Sequence, residues 1–141
     1  MSSYRHWIIG NALITLEQLT GLDDGRLMSS ECPLHQDVVD AWSCLVVAAQ
    51  RDGVDLAIAS GYRDFSRQLT IWNEKALGQR PVYDENGLPI DISQLTNREL
   101  MFAILHWSAL PGASRHHWGT DLDVYDKRAL DDGEALDLQA S

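Results

Sequence analysis

His116 and Asp123 are the residues of this chain whose types and spacing point most directly to chemistry. An imidazole nitrogen and a carboxylate oxygen both bind divalent ions such as zinc, which in a catalytic site takes three protein donors and keeps one position open for water. Both residues lie in Ser114-Arg-His-His-Trp-Gly-Thr-Asp-Leu-Asp123, and Gly119 between them lets the chain bend so that the ring folds over the carboxylate. Taken alone, a histidine and an aspartate at this spacing are a common coincidence, and a simple hydrogen-bonded pair is the favoured reading. His117 adjoins the proposed ligand, and adjacent side chains diverge, so a supporting or packing role is expected for it. Asp121 has two readings: an orienting hydrogen bond to His116, which metal-bound histidines require, or a solvated strand residue. His6, His35 and His106 have no such context and read as surface or core.

The elements that must hold these groups follow from periodicity. Leu34, Val38, Trp42, Leu45 and Ala49 recur at helical spacing, with Pro33 in the first turn and Gly53 as the stop. Val54 to Ser60 alternates with period two and reads as a strand, ended by Gly61. Asp64 caps a second helix running to about Ala76, with Phe65, Leu69 and Trp72 on one side. Gln79 to Ser93 reads as a long loop or short hairpin around Asn86-Gly87. Thr96 and Glu99 form a capping box for a third helix carrying Leu100, Ile104 and Trp107, stopped by Pro111-Gly112. Gly119 to Tyr125 alternates again, placing Asp121, Asp123 and Tyr125 on one face of a strand. The tryptophans read as core, Trp118 packing under its loop. This order of elements predicts an α+β domain.

Composition narrows the function classes. The chain has 141 residues, 45% of them hydrophobic, enough for one domain with a buried core. A formal net charge of -10, with no basic run longer than Lys127-Arg128, argues against nucleic acid as a partner. Cys32 and Cys44 form no metal or redox motif, and Cys44, inside an apolar helical run, is expected as a buried free thiol. No signal peptide is visible and no apolar stretch approaches the roughly 18 residues of a membrane helix. The default expectation is a cytoplasmic protein, with a periplasmic one open, and the pattern assigns no oligomeric state.

Two blocks together are specific. Ser60-Gly-Tyr-Arg-Asp-Phe-Ser-Arg-Gln68 fits S-G-Y-R-x-x-x-x-Q, and Ser114 to Asp123 fits S-x-H-x-x-G-x-A-x-D, with Asp121 in place of the alanine. In this order and spacing, over about residues 38 to 126, the chain resembles the zinc D-alanyl-D-alanine carboxypeptidases of the vancomycin-resistance type (VanY-like) and related phage endopeptidases. The resemblance implies a hedgehog/DD-peptidase-like fold, a small antiparallel sheet with flanking helices. It implies Zn2+ as cofactor, held by His116 and Asp123, and a peptidoglycan-type peptide as substrate. Arg63 would stabilise the oxyanion formed as water attacks the scissile carbonyl. Tyr62, Gln68 and Ser114 would hold the terminal D-alanine carboxylate or the peptide backbone, Tyr62 reading equally as a core aromatic.

The family pattern continues into an E-x-W-H element that supplies the third ligand and the general base. No histidine follows His117 here, and Glu134, in Glu-Ala-Leu-Asp, lacks the partner histidine. Residues 1–141 are therefore expected to be a single, partial peptidase domain, incomplete at the C-terminus. A second polypeptide completing the site is the other way to an active enzyme. The expected activity is removal of a C-terminal D-alanine; the alternatives are an L,D-endopeptidase of cell-wall stem peptides and a non-catalytic peptide-binding module, as in hedgehog signalling domains.

Overall fold

The computed structural model describes residues 7–9, 12–28 and 32–130, in which helices alternate with short antiparallel strand pairs. β1 (Trp7–Ile9) pairs with β2 (Ala12–Ile14), and the five-residue helix α1 (Leu16–Thr20) follows behind a capping box of Thr15 and Gln18. β3 (Leu27–Met28) pairs with β4 (Leu34–His35), which leads directly into α2 (Gln36–Arg51). The helix thus begins two residues later than its apolar spacing suggests. Leu34 and His35 are drawn into the strand pair, and the His35 ring caps the helix by accepting from the amide of Asp37 at 3.3 Å. Pro33 accordingly lies ahead of the strand rather than in the helix. Leu45 is 51% exposed and Cys44 is also exposed, so the expected buried thiol is not found and the covered side of α2 runs instead through Val38, Trp42, Val46 and Ala49.

β5 (Leu56–Ser60) and β6 (Asp123–Asp126) form the pair that builds the site. They run antiparallel, with Ile58 opposite Val124, but the register then shifts so that Ser60 faces Asp123. Ala59 is the additional residue of this irregularity, and such bulges bend a strand and re-aim the side chains that follow. The end of β5 and the start of β6 therefore meet at one edge. The predicted second strand began at Gly119; the observed one begins at Asp123, leaving Asp121 in the preceding link.

α3 (Phe65–Ala76) starts at Asp64, whose carboxylate accepts from the amide of Arg67 at 2.6 Å. Tyr83 and Pro89 bridge around Asn86-Gly87, the short hairpin that the turn signal implied. α4 (Asn97–Trp107) starts at the Thr96–Glu99 capping box and packs against α3. Ile71 and Ile104 are buried there together with Gln68, Lys75 and Ser108. The inward side of α3 is thus Gln68, Ile71 and Lys75, spaced by three and four residues, while Leu69 faces solvent. Among the described residues no helix is long and apolar enough to cross a membrane.

Candidate active site

Three short segments converge where β5 and β6 meet. The first is the turn from β5 into α3. Arg63 leaves it with Nε and Nη2 at 3.2 and 2.6 Å from Ser60 Oγ, which fixes the guanidinium against the strand end. Its Nη2 also lies 3.6 Å from Asp123 Oδ2. Burial pulls this guanidinium below its ordinary pKa, Asp123 opposes that, and Arg67 and Arg80 add to it. Arginine titrates so high that it stays charged. Gly61 in this turn packs so close to Cys32 Sγ that a side chain has no room.

The second segment is the single 3-10 turn Arg115–Trp118. Ser114, buried, caps it by accepting from the amide of His116 at 3.3 Å. Gly119 closes it in the left-handed conformation, with φ of 66°, and a Cβ there would meet Leu27 Cδ2 at 2.5 Å. Glycine is the residue that tolerates both demands. The His116 ring reaches back to the first segment, Nδ1 lying 2.8 Å from the carbonyl oxygen of Gly61. A carbonyl only accepts, so Nδ1 carries the proton and Nε2 presents its lone pair.

That lone pair faces the third segment, the start of β6. Nε2 is 3.5 Å from Asp123 Oδ2 and 4.0 Å from Asp121 Oδ2. Zinc bonds of the usual length at a tetrahedral angle would separate the two donor atoms by about 3.4 Å. His116 and Asp123 thus match the spacing of two zinc ligands before any rearrangement. Among the described residues no group of three or more His, Cys, Asp or Glu is placed to hold a metal ion. Asp121 does not orient the His116 ring, since the Gly61 carbonyl does; its carboxylate pairs instead with Arg115 Nε at 3.3 Å.

A cavity of about 330 Å³ opens over this edge, lined by Arg63, Gln68, Ser108, Ser114, His116 and Asp123 among others. Gln68 is 1% exposed; its Nε2 donates to the carbonyl of Ala109 at 2.8 Å, while Oε1 has no hydrogen-bond partner among the described residues. Five of the six expected site residues are brought together here. Tyr62 is the exception: it lines a neighbouring cavity with Arg63 instead, and burial together with Asp24, Asp64 and Asp23 raises its phenol pKa.

His117 is a structural post. Buried against Gly21, it donates from Nδ1 to the Arg63 carbonyl at 2.6 Å and accepts at Nε2 from the amide of Gly112 at 3.0 Å. Trp118, expected beneath its loop, is 40% exposed and donates to the carbonyl of Leu19. His35 and His106 lie outside the site, one capping α2 and the other stacked edge-on against Trp107, and His6 lies outside the described residues. Lys75 and Ser108 had no signal in the sequence, because helical spacing does not reveal that α4 covers that turn of α3. Lys75 Nζ donates to Ser108 Oγ at 2.6 Å directly behind the cavity wall.

Residues 31–140 match the family model VanY, D-alanyl-D-alanine carboxypeptidase. An uncharacterised protein of Haemophilus influenzae is 40% identical over 103 residues, covering 69% of this chain and 70% of that one. Two solved structures resemble the fold with a TM-score of 0.56 and 25% identity over 72% of this chain. One is a mutant of the vancomycin-resistance D,D-pentapeptidase VanY from a VanB-type cassette in complex with Zn(II), the other VanYB in complex with D-alanine-D-alanine. The LD-carboxypeptidase LdcB shares the fold at a TM-score of 0.55 and 17% identity, over 97% of this chain and 64% of its own. The chain spans about half the length of the two VanY structures, 52% and 51%. With its helices, small antiparallel sheet and two motif blocks, the chain belongs to the VanY D-alanyl-D-alanine carboxypeptidase family.

Proposed function

We propose that this chain is part of a zinc metallopeptidase that removes the C-terminal D-alanine from peptidoglycan-type peptides, and that residues 1–141 belong to one peptidase domain. The observation that carries this reading is the pair His116 Nε2 and Asp123 Oδ2, 3.5 Å apart beside the buried Arg63. Zinc held by that pair supplies Lewis acidity toward water and the scissile carbonyl. Gly61 holds the imidazole in its ligating tautomer. Arg63, braced by Ser60, presents guanidinium hydrogens to the oxygen on which charge develops during attack. Gln68 and Ser114, both buried in the cavity wall, are placed to hold the peptide's terminal carboxylate or backbone. The reading requires a third donor and a proton acceptor from beyond the described residues.

The test is made on the full-length gene product. Zinc content and release of D-alanine from a peptide ending in D-Ala-D-Ala are measured for the wild type, His116→Ala and Asp123→Ala. Both variants are expected to lose metal and turnover together. Unchanged zinc content and hydrolysis in His116→Ala would sink the proposal.

A further inference from the structure

Arg63 also lines a second cavity of about 280 Å³, which His116 does not line and which the peptidase chemistry leaves unused. Three guanidinium groups line it, those of Arg63, Arg67 and Arg80, together with Ser60, Tyr62 and Ile71 and no carboxylate. Arg67 sits on the exposed first turn of α3, and Arg80 follows that helix, tied to Glu74 at 3.1 Å. The cations feel one another: Arg67 and Arg80 both disfavour the charge on Arg63, and Arg80 and Arg63 disfavour that on the buried Lys75. Three of the eleven basic residues of a chain with net charge -10 thus line one hollow. Glu74 and Asp123 offset part of the charge on Arg80 and Arg63, and a bound anion would offset more of it. Arg63 lines both cavities, so the second adjoins the one over His116 and Asp123.

We propose that the cavity of Arg63, Arg67 and Arg80 is a carboxylate-binding subsite, which selects peptides by an acidic group that reaches it beside Arg63. The planar fork of a guanidinium matches a carboxylate with two parallel hydrogen bonds, and a peptide is the ligand already placed beside it. This rests on the peptidase reading and adds a substrate preference to it. The carboxylate comes either from an acidic side chain or from the peptide terminus.

The probes are three synthetic peptides ending in D-Ala-D-Ala: one with a glutamate, one with glutamine in its place, and one with the glutamate but a C-terminal amide. Calorimetric affinities are measured on the full-length protein, wild type, Arg67→Gln and Arg67→Lys. The wild type is expected to prefer the doubly acidic peptide by about tenfold over at least one neutralised peptide, and less at high salt. Arg67→Gln is expected to abolish that preference and Arg67→Lys to retain part of it. Whichever neutralised peptide becomes indistinguishable from the parent in Arg67→Gln identifies the source of the carboxylate. Equal binding of all three peptides by the wild type, or a preference untouched in Arg67→Gln, overturns the subsite while leaving the peptidase reading intact. Failure of the wild type to bind any of them overturns the peptidase reading and the subsite with it.

Discussion

The imidazole of His116 is oriented by the carbonyl of Gly61, 2.8 Å from Nδ1 and fifty-five residues away in the chain. The orienting group is therefore neutral backbone, and the carboxylate of Asp121, 4.0 Å from Nε2 and paired to Arg115, is not needed for that task. Asp121→Ala, which installs the residue of the family pattern, is expected to change zinc affinity by less than the roughly 10- to 100-fold that loss of an orienting partner costs. Competition with a chromophoric chelator measures this. A larger loss would make Asp121 part of the metal's own shell.

Arg63 is held by Ser60 on one side and by Asp123 on the other, so its fork is aimed before substrate arrives. Lysine keeps the charge but not the planar pair of donors. In the full-length protein Arg63→Lys is expected to lower kcat by about 100- to 1000-fold, the range for removing an oxyanion donor, with a smaller change in KM. Steady-state kinetics on a D-Ala-D-Ala peptide separate the two. An effect confined to KM would reassign Arg63 to ground-state binding.

His117 lies next to His116 yet points the other way, joining the Arg63 carbonyl to the Gly112 amide. His117→Phe fills much of the same volume but leaves both backbone groups buried without partners, each at about 1–3 kcal/mol. The expected loss of stability is about 2–6 kcal/mol, read from denaturant unfolding. Zinc affinity of the folded fraction is expected to hold. A variant as stable as the wild type would show that His117 is a spectator.

What the sequence revealed and what it hid divide along local and long-range causes. Asp64 and the Thr96–Glu99 box were legible because a cap acts within three residues of itself. The two motif blocks were legible as a family pattern, but not the register shift that sets Ser60 opposite Asp123, since pairing across more than sixty residues leaves no local trace. Asp121 was drawn into the strand because alternation continues through Thr120 and Leu122, whereas the left-handed Gly119 delays pairing until Asp123. Tyr62 belongs to the motif by sequence but lines the cavity beside the one over His116 and Asp123. Nothing local marks Lys75 as buried, and only the packing of α4 against α3 makes it so.

Lys75 also supplies a prediction about pH. It is 2% exposed, its described partner is the Ser108 hydroxyl, and burial, reinforced by Arg80 and Arg63, lowers its pKa to about 8 from 10.5. Below pH 8 the lysine is charged in both folded and unfolded chains, and the folded state carries the full penalty of a buried ammonium. Between about 8 and 10.5 the unfolded chain binds more protons than the folded one, so stability contributed at this position rises with pH. Lys75→Met keeps the length of the side chain and removes the titration. Urea midpoints for both proteins at pH 7, 8, 9 and 10 are therefore expected to diverge, the variant having its greatest relative stability at pH 7 and losing that advantage by pH 10. Tyr62 and Cys32 also titrate in the alkaline range, but they are common to both proteins and largely cancel in the difference. Parallel curves would mean that Lys75 keeps an ordinary pKa and that water reaches its ammonium.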